Sequence, residues 1–501
     1  MVKVCTIVLD DMVNIRCLGL DPVTRRKFLA ALKFMVPYAR HTPQFKLKRW
    51  DGMVAFGTIG GATQLNLLDR VLPIIIEAGY EIEIDDRRPD FDITFPPIED
   101  NELADYNWPA GHEMAGEPIM LRDYQVEAIN RYFQNQQSLQ CLSTGCGKTI
   151  ICAAMSRKVE QVTGGRTIVV VPSKSLVTQT EEDYLTVGLD VGVFYGDRKE
   201  ISCQHTICTW QSLSVFSKKT RRGELEFTIN DFLEGVVCVI IDEVHGLKAQ
   251  ELRALLTGPM AHLPLRFGMT GTIPKEDYEF LALLSCIGPV VGEICAVDLM
   301  EKGVLADCDI RIVQLLDDHV GFSDYESEHN FLVTDPDRVQ WIANYCINLA
   351  DGGNTLILVD RKETGFMLEA AIQDAVFICG DVKVKNRKKE YDLIKTSKNK
   401  VIIATYGVAA VGINVPRMFN LVLLECGRSF VRTIQSAGRV LRRSKDKNRA
   451  VIVDMTSSLK YSRRHLSKRK EYYRDAGYPF TVAKVDYRCV ITPKRFPLQI
   501  T

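Results

Sequence analysis

The chain has 501 residues, of which 46% are apolar and 25% charged, enough for two to four soluble domains. No apolar run approaches the roughly 20 residues of a membrane span, and the N-terminus lacks a signal-peptide pattern, which excludes membrane and secreted proteins and predicts a cytoplasmic location. The 63 basic and 63 acidic residues cancel, so a polyanion would bind only local basic patches.

Residues 1–88 are predicted to form a small α+β domain. VKVCTIVLD favours a strand, Asp21-Pro22 begins a helix, and FKLKRW and MVAFG flank the hairpin signal Asp51-Gly52. NLLDRVLPIIIEAG and YEIEID supply a second helix and a last strand. The order β-α-β-β-α-β predicts a ferredoxin-like fold.

The predicted hairpin has a basic, aromatic face. Period-two alternation places Leu47, Val54 and Phe56 on one face, and the other face carries Lys46, Lys48 and Trp50. Two cations and an aromatic ring suit a phosphate backbone and a stacked base, which favours nucleic-acid binding. The alternative is a solvated face whose lysines discourage edge pairing.

An acidic, proline-containing linker is predicted at residues 89–117, followed by two doubly wound α/β units split near Gly303. Uninterrupted β-branched runs alternate with helical patterns, which is typical of parallel strands covered on both faces. The predicted domains are 118–302 and 303–456, with a basic tail at 457–501. The strand runs are TIVVV at 167–171, VVCVII at 236–241, TLILV at 355–359, VIIA at 401–404, LVLLE at 421–425 and AVIVD at 450–454.

The segment LSTGCGKT, residues 142–149, is typical of a phosphate-binding loop between a strand and a helix. Its glycines allow backbone N–H groups to surround phosphate, Lys148 reaches the β- and γ-phosphates, and Thr149 holds Mg²⁺. The alternative is a glycine-rich turn that only caps a helix. The predicted nucleotide-binding residues of the loop are Ser143, Thr144, Gly145, Cys146, Gly147, Lys148 and Thr149.

Two further motifs predict hydrolysis. Asp242 and Glu243 follow the strand VVCVII, so Asp242 is predicted to hold Mg²⁺ and Glu243 to activate the attacking water. QSAGRVLRR, residues 435–443, places Arg439 and Arg442 three residues apart on one side of a helix, where both reach one polyanion. Fifteen scattered cysteines lack zinc-ligand spacing and are predicted to be buried apolar residues.

These motifs, with Thr270-Gly271-Thr272, resemble motifs I, II, III and VI of the superfamily 2 DNA and RNA helicases in the family's order. The resemblance implies two RecA-like domains, ATP and Mg²⁺ as cofactors, and Gln435, Arg439 and Arg442 as catalytic residues of the second domain. LRDYQ implies that Gln125, beside Arg122, reads adenine. Other motifs imply nucleic-acid contacts by Ser173, Lys174, Gln179, Thr209, Thr405, Gly407 and Gly412.

The RWDG hairpin, the TWQ segment and ATYGVxxxGI resemble, more narrowly, phage recombination and branch-migration helicases. This implies a monomeric DNA helicase of phage replication, recombination and repair, in the cytoplasm of a bacterial host. Its substrates would be forks, Holliday junctions, D-loops or R-loops with RNA–DNA hybrids. The alternatives are a translocase of a restriction-type system, an RNA helicase, or an inactive nucleotide-regulated clamp, which the filled catalytic positions do not favour.

Overall fold

The computed structural model describes the chain apart from residues 1–2, 111, 113, 202, 245–249, 275–276, 319–320, 381–396, 409–417, 428–448 and 490–501. The chain divides into two compact units: residues 1–142 with 147–293, and residues 143–146 with 294–501. Among the described residues, no helix is both long enough and apolar enough to cross a membrane.

The first unit begins with a small α+β domain, as predicted, but its element order differs. Its strands are β1 (Lys3–Leu9), β2 (Asn14–Leu18), β3 (Lys33–Met35), β4 (Met53–Ala55), β5 (Ala62–Gln64) and β6 (Tyr80–Asp86), and its helices are α1 (Pro22–Ala31), α2 (Pro43–Lys46) and α3 (Leu68–Glu77). The main sheet has the order β5-β2-β1-β6, and β3 pairs with β4 separately. The β1–β2 hairpin precedes the first helix, so the predicted ferredoxin-like order is wrong.

The segment FKLKRW is not a strand, which corrects the predicted hairpin. Thr42 caps α2, accepting a hydrogen bond from the backbone N of Phe45, and Pro43 fills the first helical position. β4 then pairs with β3. Leu47 is 62% exposed, whereas Phe56 is buried, so the two do not share an apolar face.

A β-sheet of eight strands forms the rest of the first unit, in the order β10-β9-β11-β8-β12-β13-β7-β14. The central pairs are parallel. Its strands are β7 (Gln137–Leu142), β8 (Arg166–Val171), β9 (Val191–Tyr195), β10 (Arg198–Lys199), β11 (His205–Thr209), β12 (Val236–Ile241), β13 (Leu265–Thr270) and β14 (Val290–Ile294). Its helices are α4 (Asp123–Gln134), α5 (Lys148–Thr163), α6 (Lys174–Thr186), α7 (Trp210–Arg221), α8 (Ile229–Phe232), α9 (Gln250–Leu256) and α10 (Asp277–Cys286).

The small domain shares its core with the larger sheet's helices. Leu281 and Ala282 of α10 belong to the same buried cluster as Phe28 and Ile75 of the small domain. The predicted linker is also packed: Phe95 stacks on Phe133 of α4 at 4.3 Å between ring centroids. The small domain is therefore docked on this α/β domain rather than tethered to it.

The second unit contains a seven-stranded sheet in the order β17-β18-β16-β19-β20-β15-β21, in which every pair is parallel. Its strands are β15 (Asp307–Leu315), β16 (Thr355–Val359), β17 (Val376–Ile378), β18 (Val401–Thr405), β19 (Asn420–Leu424), β20 (Arg449–Ser457) and β21 (Phe480–Val485). Its described helices are α11 (Ala296–Glu301), α12 (Tyr325–Thr334), α13 (Pro336–Ala350), α14 (Lys362–Ala371) and α15 (Lys460–Asp475).

The region predicted as a basic tail contributes to this second domain. β21 extends the sheet beside β15, and α15 packs on it through one face. That face consists of Ser462, Leu466, Arg469 and Tyr473, spaced by three or four residues. Two of the four are polar, which explains why the hydropathy pattern did not reveal a packed helix.

Candidate functional site

The glycine-rich loop lies between a strand and a helix, as its sequence predicts. β7 ends at Leu142, and α5 begins at Lys148 with Gly147 as its N-cap residue. Gly145 and Gly147 have φ angles of +94° and +86°, in the left-handed region that favours glycine. A Cβ on Gly147 would lie 2.4 Å from Nε2 of Gln125. The backbone conformation therefore favours glycine at position 147, and a Cβ there would also displace the end of the Gln125 side chain.

The start of α4 is fixed beside this loop. Gln125 is buried, and its Oε1 accepts a hydrogen bond from the backbone N of Arg122 at 2.9 Å. The Arg122 guanidinium donates to the hydroxyl of Tyr124 at 3.1 Å. The structure therefore brings Gln125 to the phosphate loop, the place where an adenine-reading residue is needed. Its role in reading the base stays a prediction.

The loop lysine meets the predicted general base. Nζ of Lys148 donates to the carbonyl O of Leu142 at 3.3 Å and lies 3.2 Å from Oε1 of Glu243. The side chains of Lys148 and Glu243 are 13% and 18% exposed, so the pair is shielded without being sealed from solvent. The two motifs, almost a hundred residues apart in sequence, thus form one site.

Asp242 and Glu243 lie at the carboxyl end of the central strand β12. The backbone N of Asp242 donates to the carbonyl O of Val170 at 3.0 Å, which continues the pairing with β8. Oδ1 of Asp242 accepts from the backbone N of Glu243 at 2.9 Å. Glu243 has a φ of +52°, an unfavourable conformation for a residue with a Cβ and one that is found often at functional sites.

The donor groups of the loop fit a nucleotide phosphate with Mg²⁺. The hydroxyl of Ser143 is buried and has no hydrogen-bond partner in the part of the chain that the structure describes, so a phosphate oxygen would satisfy it. Within the same described residues, no group of three or more His, Cys, Asp or Glu side chains could hold a metal. Mg²⁺ would then rest on Thr149, Asp242, phosphate oxygens and water, as is usual for this ion.

The predicted strand-contacting residues of the first domain follow neighbouring strands of its sheet. Ser173 caps α6 after β8, and Thr209 caps α7 at the end of β11. Because β8 and β11 are parallel neighbours, both caps lie at the carboxyl edge of the sheet, together with Asp242. Lys174 is exposed and Gln179 is half-buried. Thr209 is buried, and its hydroxyl accepts from the backbone N of Ser212, so it positions α7.

In the second domain, Thr405 ends β18 and Gly407 follows it. Gly412, Gln435, Arg439 and Arg442 lie outside the described residues, so their predicted roles stay predictions. In the small domain, Lys46 and Lys48 are exposed, but they lie in and just after the short helix α2. Nε1 of Trp50 donates to the carbonyl O of Met53 at 2.9 Å. The three residues therefore do not share a strand face.

The second domain contains a buried ion-pair network that was not predicted from the sequence. Arg338 lies 2.7 Å from Oε1 of Glu425, and Oε2 of Glu425 accepts from the Ser462 hydroxyl at 2.6 Å. Burial raises the pKa of Glu425, although Arg338 and Ser462 favour its charged form. Arg469 holds both carboxylate oxygens of Asp454 at 2.8 Å. The one sequence signal was a set of charged residues inside apolar segments.

Two family models match the chain. The model described as "Type III restriction enzyme, res subunit" matches residues 118–275, which include the glycine-rich loop and Asp242. The model described as "Helicase conserved C-terminal domain" matches residues 337–444, which include the predicted arginines Arg439 and Arg442. The two matches fall on the two α/β domains in order.

Individual proteins resemble the chain over most of its length. The ATP-dependent DNA helicase uvsW of Enterobacteria phage T4 is 21% identical over 463 residues, 86% of this chain and 87% of that protein. The DNA 3'-5' helicase XPB of Kineococcus radiotolerans is 25% identical over 406 residues, 78% of this chain and 69% of that protein. The structure of S. cerevisiae Dbp5 bound to RNA and ADP BeF3 has a TM-score of 0.51 at 16% identity, over 73% of this chain and 90% of that one, which supports the fold alone.

Proposed function

Because this chain belongs to the superfamily 2 helicases, we propose that it is an ATP-dependent DNA helicase that remodels branched DNA in a phage-infected bacterium. The main support for ATP hydrolysis is the 3.2 Å distance between Nζ of Lys148 and Oε1 of Glu243, because it places the phosphate loop next to the predicted general base. The match to a phage DNA helicase over 86% of the chain supports DNA as the proposed substrate. Forks, Holliday junctions, D-loops and R-loops are the expected branched structures.

The residues of the first domain divide the work of hydrolysis. When bound, ATP supplies the γ-phosphoryl group that is transferred to water, and Mg²⁺ would neutralise part of the charge on that group. Lys148 is drawn toward phosphate oxygens, which frees the carboxylate of Glu243 to take a proton from the attacking water. Asp242 and Thr149 hold the metal, and Gln125 reads the base. Arg439 and Arg442 are proposed to stabilise the transferred phosphoryl group from the second domain.

DNA movement would follow from alternating grip. Ser173, Lys174 and Gln179 of the first domain, and Thr405, Gly407 and Gly412 of the second, are proposed to hold one strand through its sugar-phosphate backbone, without reading sequence. Lys46 and Lys48 of the small domain are proposed to hold phosphates of the same substrate. We propose a monomer as the working unit.

The proposal is tested by offering the purified chain forks, four-way junctions, R-loops and blunt duplex DNA with ATP and Mg²⁺. Branched substrates should be processed faster than blunt duplex, and Lys148→Ala should abolish processing. Failure on every branched substrate would refute the proposed substrate, even if ATP is hydrolysed.

Two other functions share the same motifs. A translocase of a restriction-type system is favoured by the description of the first family model. It would displace a triplex-forming strand from duplex DNA without separating the strands of a fork. An RNA helicase would show greater ATPase stimulation by RNA than by DNA of the same sequence.

A further inference from the structure

Three loops of the second domain converge at the carboxyl edge of its sheet. α12 follows β15, α14 follows β16, and α15 follows β20, and these three strands run parallel in one sheet. This is the edge at which Thr405 ends β18. Ligands of open α/β sheets bind at the carboxyl ends of strands, so side chains gathered here are placed to contact a substrate.

Aromatic rings from α12 and α15 meet at this edge. The ring of Tyr325 lies 4.8 Å from the ring of His465, 5.3 Å from that of His329 and 6.4 Å from that of Tyr461, between centroids. Tyr325 is 39% exposed, although its ring contacts three other rings. These four residues are called the ring cluster below.

A buried carboxylate fixes the two helices that carry the ring cluster. Glu328 of α12 is almost fully buried and accepts hydrogen bonds from the backbone N of Tyr461 at 2.9 Å and of Ser462 at 2.7 Å. A carboxylate at a helix N-terminus is favourable because of the unsatisfied N–H groups there. The Tyr461 hydroxyl donates to the carbonyl O of Ser323 at 3.2 Å. The rings are therefore held in place before any ligand arrives.

Exposed cations lie on α15, the helix that carries two of the rings. Nζ of Lys460 lies 5.1 Å from the centroid of the Tyr461 ring, and Arg463 and Arg464 are exposed on the first turns of α15. These three cations form no ion pair with a carboxylate among the described residues. Arg361 lies at the start of α14, where it donates to Oδ1 of Asn330 at 2.8 Å.

The acidic residues nearby are mostly engaged with neighbours. Asp324 caps α12, accepting from the backbone N of Ser327 at 2.8 Å, and Asp360 lies 3.7 Å from His329. Glu326 is exposed and lies 3.9 Å from Arg361. The unpaired positive charge thus lies on α15, beside Tyr461 and His465.

We propose that the ring cluster is a stacking site for one base of an unpaired DNA strand, with Lys460, Arg463 and Arg464 contacting the adjacent phosphates. The exposed part of the Tyr325 ring provides the stacking surface, and the cations provide sequence-independent attraction. A duplex arm would not use the site, because its bases are already stacked. The proposal rests on the proposed DNA helicase function and adds a base contact to a grip otherwise made only to the backbone.

The test measures binding of the full chain to a single-stranded oligonucleotide and to a blunt duplex of the same length. Tyr325→Leu, which keeps apolar bulk but removes the aromatic face, should weaken single-strand binding about tenfold. Tyr325→Phe should bind within about twofold of wild type, because it keeps the ring. Blunt-duplex affinity should not change. Phe366→Leu, which alters an exposed ring of α14, is the matched control and should bind as wild type.

Equal binding by wild type and Tyr325→Leu would overturn the stacking site, as would an equal loss in Phe366→Leu or on blunt duplex. If Tyr325→Leu lowers the melting temperature, its loss of binding could come from unfolding. Photocrosslinking of the wild-type protein to a single-stranded oligonucleotide that contains 5-iodouracil then tests the stacking site directly. Adducts on the peptide of Tyr325 or Tyr461 support the site, and adducts confined to other peptides refute it. Absence of DNA binding by the wild type would instead refute the proposed function, and the stacking site with it.

Discussion

Each α/β domain has a glutamate in the left-handed region at the carboxyl end of a central strand, and the two glutamates differ in their surroundings. Glu243 follows β12 with a φ of +52°, and Glu425 follows β19 with a φ of +42°. Glu243 faces Lys148 at 3.2 Å with both side chains partly exposed. Glu425 faces Arg338 at 2.7 Å with side-chain exposures of 4% and 0%.

The difference in solvent exposure means that the Lys148–Glu243 ion pair can exchange partners, whereas the Arg338–Glu425 ion pair cannot. Lys148 and Glu243 remain accessible to solvent, so phosphate can replace the carboxylate as the partner of the lysine. Arg338 and Glu425 are sealed inside the domain, where loss of either partner leaves an unpaired buried charge. The first pair is therefore suited to its proposed role in hydrolysis, and the second holds α13 against β19 and α15.

The largest expected effect is on hydrolysis. Glu243→Gln should lower the DNA-stimulated ATPase rate by roughly 10²–10⁴-fold, because the amide cannot accept a proton from water. Nucleotide binding, measured with a fluorescent ATP analogue, should persist. Glu251→Gln, an exposed change on α9, is the control and should leave the rate unchanged. Retained ATPase activity in Glu243→Gln would show that Glu243 is not the general base, and the proposed difference in role between Glu243 and Glu425 would be lost.

The next effect is on stability. Arg338→Met should lower the free energy of unfolding of the second domain by about 3–5 kcal/mol, because Glu425 and Asp317 lose a buried partner. Chemical denaturation, followed by circular dichroism, measures the change. Arg311→Met breaks a partly exposed pair with Asp309 in the same domain and should cost less than about 1 kcal/mol. Similar losses in the free energy of unfolding of the two variants would show that burial does not determine how strongly an ion pair stabilises this domain.

The smallest effect concerns pH. Burial lowers the pKa of His205 below its usual value of 6.5, although Glu160 at 3.0 Å opposes the shift. His205 therefore binds a proton more readily in the unfolded chain than in the folded chain. Its contribution to the free energy of unfolding is fully present above pH 6.5 and is lost as the pH decreases. The slope is at most about 1.4 kcal/mol per pH unit.

His205→Gln should flatten this part of the pH profile between pH 7 and pH 5, as measured by hydrogen exchange of the β11 amides. An unchanged slope would mean that His205 binds its proton equally well in the folded and the unfolded chain, so that the ion pair with Glu160 fully offsets the effect of burial on its pKa.

The parallel strands were predictable because each is an uninterrupted run of apolar residues in the sequence. VVCVII coincides with β12, and TLILV with β16, since strands covered on both faces have no polar alternation to obscure them. The small domain was less predictable. Thr42-Pro43 begins a helix by the same rule that Asp21-Pro22 follows, but the hairpin signal Asp51-Gly52 outweighed it in the prediction.

The site was predictable where chemistry fixes residue types at close spacing. The phosphate loop and Asp242-Glu243 were identified from sequence, and the structure brings Lys148 and Glu243 together. The ring cluster was not predictable, because Tyr325 and Tyr461 are far apart in sequence and are brought together by contacts of α12 with α15, such as those of Glu328. Residue types alone do not show which loops of a sheet converge.

The shared core of the small domain and α10 has a mechanical consequence. In the described part of the chain, α10 is the element after β13, which ends at Thr270 of the Thr-Gly-Thr motif. Leu281 of α10 is fully buried among side chains of the small domain. A load applied to the small domain would therefore pass to α10 through packed side chains. A module attached by a flexible linker would not transmit such a load.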